Sequence, residues 1–323
     1  MAIGISTAFT IRDELFSAGY VEKLTQKVNI FNEGTKGAIR LQTESMAGHY
    51  NKTRFFDRQT GTNSRRDTTS VAAQTDTNMT QDELVGVKRD RKYAPRAMTL
   101  DSWLKAGISD NQMAVMAGQN MADESLKDYV EAVVISLKAA LTDNSGAANT
   151  DYSATGVLSH AALIDALTLF GDASNDIVCW FGHSKSAFDL LDASLTVSSG
   201  HVGPAAIYEE GVGTFRRPYV VTDSSNFIIT GTPNDYVTFG LVENACVVTI
   251  SEQPRFVGDL VTGLENLVMR FQGEYSYNID VLGHSYDVSV GANPTDANLG
   301  ATGTWDIEVA SIKNGPGVFV RTQ

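Results

Sequence analysis

Residues 177–194 read IVCWFGHSKSAFDLLDAS. A run of apolar residues closed by glycine makes a buried strand, a polar turn follows, and Phe188, Leu190 and Leu191 continue at helical spacing, so the stretch is strand, turn, helix. Two folds compete for it. Gly182-His183-Ser184-Lys185-Ser186 stands where an α/β-hydrolase carries its nucleophile elbow, with Ser184 as nucleophile and His284 and several aspartates downstream in the required chain order. Against this, the elbow needs a small last residue, for which Ser186 is marginal, and parallel strands with an oxyanion loop before it. The 110 preceding residues offer an arm, a polar excursion and one long helix instead. The structural reading makes Ser184 or Ser186 a helix cap that accepts from exposed backbone N–H groups. The sequence therefore points to a non-enzymatic protein, with a hydrolase built on Ser184 as the alternative.

Upstream, residues 111–142 carry the clearest helical signal. Leu126, Val130, Val133, Leu137 and Leu141 form one stripe, continued by Met113, Met116 and Ala117, which predicts a helix roughly 45 Å long at about 1.5 Å per residue. Residues 11–28 predict a short amphipathic helix interrupted near Gly19. Between the two, residues 43–83 lose all apolar periodicity; only Phe55-Phe56 is strongly apolar. LVGVKRDRKYAPRAMTL at 84–100 then alternates as a strand and becomes a cationic edge with Lys88, Arg89, Arg91, Lys92 and Arg96. Together these predict a long, poorly packed hairpin that needs a neighbouring molecule to stabilise it. Downstream of 194, TFRRPYVVTDSS, NFIITGT, DYVTFGLVE and ACVVTISEQ predict a series of strands, 266–290 two long aromatic-rich strand runs, and 305–323 two short terminal strands.

Composition narrows the function classes. The chain has 323 residues, 42% of them apolar, 7 Pro and 2 Cys. No apolar run approaches the roughly 18 residues that span a bilayer, and no secretory signal opens the sequence, so no membrane partner is expected. Cys179 and Cys246 lie inside apolar runs and read as buried hydrophobes in a reducing compartment. The net charge of −13 argues against sequence-specific nucleic-acid binding, yet it hides a gradient. Residues 1–110 hold 16 basic and 13 acidic side chains, net +3, which leaves 9 and 25, net −16, for 111–323. Opposite poles let copies of one chain attract each other. The five histidines have no metal-ligand spacing, EGVGTFRR lacks the P-loop lysine, and Asp143-Asn144 opens a calcium loop whose twelfth position is Ala154, so no metal or cofactor is expected.

The order of these parts resembles a tailed-bacteriophage major capsid protein of the Hong Kong 97 fold. IVCWFGHSKSAFDLLDAS resembles that family's strand, His-Ser turn and helix; RRPYVVTDSSNF and LVENACVVTI resemble its next two strands. The C-terminal run with Asn293-Pro294-Thr295-Asp296, a Trp-initiated strand and a final Lys-x-x-Gly strand is similar to one capsid subgroup. The resemblance implies an α+β fold with an N-terminal arm at 1–42, an extended β-hairpin loop at 43–98 lying over a neighbouring subunit, and a peripheral domain at 99–156 with the spine helix 111–142. It further implies an axial domain at 157–257 and return strands of the peripheral domain at 258–291; it leaves the place of 292–323 open. Some members join the loop to a neighbour by a Lys-Asn isopeptide, for which Lys52 is a candidate donor with no identified partner.

The implied function is a structural coat protein that self-assembles as hexamers and pentamers into an icosahedral head. The shell encloses double-stranded DNA without reading its sequence, and its further partners are portal and scaffolding or decoration proteins. Its place is the virion, assembled in the host bacterial cytoplasm. A shell holding cargo other than a genome is a further alternative. The expected inter-subunit contact is the cationic loop, Arg54, Arg58, Arg65, Arg66, Lys88, Arg89, Arg91, Lys92 and Arg96, laid on an acidic neighbour, with Phe55 and Phe56 as apolar anchors. Charge reversal at Arg89, Arg91 and Lys92 is then expected to impair assembly while leaving the subunit folded.

Overall fold

The structure, a computed structural model, describes residues 7–56, 63, 65–66, 68–71, 73, 76, 78–79, 81–105, 107, 110–143, 148–154, 156–198 and 217–323. Two sheets and a long helix share one continuous apolar core. The first sheet has the order β1-β9-β10-β3-β2, formed by Ile39–Thr43, Cys246–Val261, Val268–Val281, Gln81–Thr99 and Tyr50–Phe56. β1 runs parallel to β9 and the other pairs are antiparallel. Alternation gives the sheet two unlike faces. Tyr275, Tyr277, Ile279 and Val281 of β10 and Val248 and Ile250 of β9 are buried toward the helices. Thr249, Ser251, Ser276 and Asn278 stand on the opposite face, where Gln42 donates to Thr249 and the Ser251 and Ser276 hydroxyls pair.

The spine helix α3, Asp110–Asp143, lies on the apolar face with Val133, Leu137 and Leu141 buried as their spacing predicts. Leu126 and Val130 are only partly buried, while Tyr129, outside the predicted stripe, is fully buried with its ring edge-on to Tyr277 at 4.9 Å. Beside it runs α1, Thr7–Gly34, which is one unbroken helix and not the short interrupted one expected. Gly19 is a site of close approach: a Cβ there would meet the Val115 backbone, and one on Gly118 would fall on the Phe16 carbonyl. The missing side chains let the helices touch, Phe16 reaches Phe256 and Phe271, and Lys23 and Lys27 hold Asp123 at 2.6 Å each. Gly118→Val is expected to push the helices apart and cost about 1–3 kcal/mol as overpacking does; chemical denaturation would show it as a lower midpoint.

The second sheet has the order β4-β13-β8-β5-β6, from Asn149–Asp151, Gly317–Thr322, Asp235–Val242, Ile177–Gly182 and Tyr219–Val221, with β7 (Ile228–Ile229) also paired to β8. Phe181, Phe227, Phe239 and Phe319 fill its core in a chain of ring contacts of 5.2 to 6.1 Å. α4 (His160–Phe170) and α5 (Ser184–Ser198) flank it. The chain crosses between sheets in the turn from β8 to β9, where Asn244 takes φ 56, a left-handed conformation that asparagine tolerates, and its N–H reaches the Gly37 carbonyl at 2.9 Å. β9 thus belongs to the sheet of β10, so residue 257 lies within a strand of that sheet. The C-terminal segment divides: β12 (Trp305–Ile307) pairs with β11 (His284–Tyr286), whereas β13 is inserted between β4 and β8.

Candidate subunit interface

Strand β3 changes neighbours along its length. From Gln81 to Val87 it pairs with β2 as a hairpin; beyond Lys88, whose N–H meets the His49 carbonyl, no strand among the described residues lies on its outer side. The hairpin is exposed and polar toward its tip, while Val85 and Val87 are buried at its foot. Glu83 receives Lys52 at 2.5 Å and Arg54 at 3.3 Å, and these lower its pKa. Phe56 is 64% exposed, Phe55 is half-buried, and Arg65 and Arg66 are exposed; Arg58 lies outside the described residues.

In the other half, three of the five cations expected to form an edge over a neighbour, Lys88, Arg89 and Arg91, are drawn into the subunit instead. Lys88 is buried and meets Glu252 at 2.5 Å. Arg89, 1% exposed, lies over the Tyr277 ring, donates to its hydroxyl at 3.3 Å and pairs with Asp296 of helix α6 (Asp296–Leu299). Arg91 bridges Asp296 at 2.8 Å and Asp128 of the spine helix at 3.0 Å, and Tyr275 and Tyr277 donate to that same Asp128 at 2.8 and 3.0 Å. Burial raises both tyrosine pKa values and so keeps the phenols protonated as donors. Partial burial pulls the Asp296 pKa up, but Arg89 and Arg91 outweigh it and leave the carboxyl below its ordinary range. Asn293, held at φ 50, accepts the Asp90 N–H at 3.0 Å and so closes the strand edge where β2 has ended.

Asn293-Pro294-Thr295-Asp296 is therefore the clip that ties the C-terminal segment to β3. Arg89 and Arg91 find their carboxylates within the chain because the strand that carries them runs between the spine helix and that clip, and Lys88 finds Glu252 of β9. Reversing Arg89 would disrupt the subunit itself, contrary to the expectation from sequence. Lys92 and Arg96 remain exposed on the rim of a groove of about 770 Å³ between β3 and the spine helix. The partners Asp128, Glu252 and Asp296 lie far from this strand in sequence; for Asp296 the signal is the Asn-Pro-Thr-Asp turn, which presents its last carboxylate from a helix N-terminus.

The alternative catalytic constellation does not assemble. β5 lies antiparallel to β8 and parallel only to the short β6. His183 turns its Nδ1 to the Lys185 N–H at 3.1 Å, and His284 is buried in β11 with its Nδ1 on the Leu282 carbonyl. Among the described residues no hydrogen bond joins Ser184 to a histidine.

Solved structures with the same fold include the cyanophage Pam1 capsid asymmetric unit, at TM-score 0.54 and 12% identity over 88% of both chains. The capsid of Ralstonia phage GP4 superposes with TM-score 0.54 at 10% identity over 88% of this chain and 87% of the other. Mycobacterium phage Adephagia follows at 0.51 and 9% over 89% of both. A search of curated protein sequences returns no match. The sequence model of major capsid protein 13-like proteins matches residues 8–319. The chain belongs to the major capsid protein 13-like family. This capsid subunit is α+β, of the Hong Kong 97 type, and it is a structural coat protein of the phage head shell. Its place is the virion, as one of the copies that make up the shell.

Proposed function

We propose that the β2–β3 hairpin is the extended loop through which each capsid subunit grips the next. The observation that carries this is the exposure of its tip: Arg54 and Phe56 are exposed near the end of the two-stranded ribbon, Arg65 and Arg66 between its strands in sequence are exposed too, and a two-stranded ribbon is marginal alone. A second copy supplies the acidic surface, because residues 111–323 carry net −16. Each pair is weak, but every subunit gives and receives a loop, and closed rings of six and five accumulate many such contacts. The first sheet with the spine helix corresponds to the peripheral domain, the second sheet to the axial domain around the ring centre, and α1 to the N-terminal arm.

The assembled shell is an icosahedral head that encloses double-stranded DNA without binding it sequence-specifically. Assembly takes place in the host bacterial cytoplasm with a portal and with scaffolding or decoration proteins. No catalytic step belongs to this role. Negative-stain microscopy of the full chain tests it, the expected result being particles tens of nanometres wide. The loop is tested by Arg65→Glu together with Arg66→Glu, which is expected to lower particle yield about tenfold or more while the subunit melts as before. Unchanged yield would remove the electrostatic role of the loop.

A further inference from the structure

The first sheet holds a carboxylate that no cation among the described residues neutralises. Asp280 stands on the polar face in one register row with Arg40, Val247, Gly86 and Asn51, across all five strands. Gly86 makes room for it: a Cβ there would fall on the Asp280 carboxylate. Its hydrogen-bond partners are two neutral amides, Asn278 at 2.6 Å and Asn51 at 3.3 Å.

The charges around it are engaged elsewhere or distant. On β3, Lys88 is held by Glu252 of β9; on β2, Lys52 is held by Glu83. Arg40 of β1 lies two strands away, about 10 Å at the backbone. On β9 the facing residue is Val247, and next to it Cys246 is a thiol that burial keeps neutral. Among the described residues no cation meets Asp280, and burial lifts its carboxyl to about 6. The residue is nonetheless not sealed, since it keeps partial exposure at the foot of the hairpin. A desolvated carboxylate with amide donors only has more to gain from an approaching cation than a solvated one.

We infer that the Asp280 notch, floored by Gly86 and flanked by Asn51 and Asn278, receives a basic side chain from a second copy of this chain. The inference rests on the loop reading above and names a receptor for it. Charge supplies the argument for a second copy: the basic excess lies in residues 1–110, where Arg65 and Arg66 are exposed, and the shell places many copies side by side.

The test uses purified full-length subunits assembled at pH 8 and pH 5 and followed by sedimentation. Asp280→Asn keeps the shape of the side chain and removes its charge. At pH 8 the variant is expected to need about tenfold more protein to assemble than the unaltered chain. At pH 5 the gap closes, because the unaltered Asp280 is then protonated as well. The folded subunit responds with the opposite sign. A carboxyl whose pKa is raised by folding stabilises the fold below its unfolded value of about 4, and that stabilisation is lost as pH rises through about 6. The Asn variant should therefore melt no lower than the parent at pH 8, which excludes misfolding as the cause of poor assembly. Equal assembly of variant and parent at pH 8 would overturn the inference. If Arg65→Gln with Arg66→Gln impairs assembly in that case, the loop contact stands and only its receptor is wrong; if neither variant matters, both readings fall.

Discussion

Deletion of residues 316–323 is expected to abolish the folded subunit. The segment is short and terminal, a position where truncation is often harmless, but β13 is an interior strand with β4 on one side and β8 on the other. Val318, Phe319 and Val320 are all buried, and burial of such side chains is worth about 1.5–3 kcal/mol each. Arg321 adds a two-pronged contact to Asp235, at 3.0 and 2.6 Å. The loss approaches the about 5–15 kcal/mol that holds a whole domain together. It also bares the inner edge of β8, a template for wrong pairing. Expression should yield insoluble protein, or a chain without cooperative melting by circular dichroism. A deletion variant with the parent's melting curve would mean that β8 closes on β4 without its central strand. Arg321→Ala, which removes only the side chain's ion pairs with Asp235 and Asp151, should cost about 1–3 kcal/mol and leave the fold intact.

The same strand shows which parts of the fold are legible in sequence. GVFVRT reads as a strand from its apolar run alone, and so do IVCWFG and DYVTFGLV, because burial on both faces leaves a local trace. Its position between β4 and β8 leaves none: Phe319 faces Phe239, 80 residues upstream. The spine helix was legible for the same local reason, while Tyr129 escaped because its hydroxyl and ring belong to no simple apolar stripe. Gly19 looked like a helix break because propensity counts a glycine as a cost. Its use appears only when Val115 of the spine helix comes alongside. The site was harder still. A run of Lys88, Arg89, Arg91 and Lys92 carries the composition of a solvated edge, and nothing near it in sequence announces Asp128, Glu252 or Asp296. In the half of the strand that pairs with β2, the alternation that starts at Leu84 has a local trace, and Val85 and Val87 are buried at the foot of the hairpin while Arg54 and Phe56 stay exposed toward its tip.

Arg89→Ala is expected to destabilise the subunit by about 2–5 kcal/mol, the usual range for emptying the place of a large, fully buried side chain; Asp296 itself is partly solvated and keeps Arg91. The guanidinium is enclosed by Tyr277, β3 and α6, and its removal leaves a cavity, an unpaired Tyr277 hydroxyl on that side, and Asp296 with Arg91 alone. Arg89→Met fills the cavity without the charge, so it separates lost packing from lost pairing and should recover part of the difference. The pH dependence identifies the pairing. Asp296 has a folded pKa below its unfolded value, so its contribution is present at neutral pH and is lost as pH falls through the folded value. In the parent, melting temperature should fall on acidification below about pH 4. In Arg89→Met the carboxyl is held less firmly, so less stability remains to lose and the two curves should converge in acid. Parallel curves would place the cost in packing alone. Assembly gives the complementary result, since the buried Arg89 acts through the fold: an Arg89 variant that still folds should assemble once cooled below its own melting transition, whereas the Arg65 and Arg66 variants should fail at every temperature at which the subunit is folded.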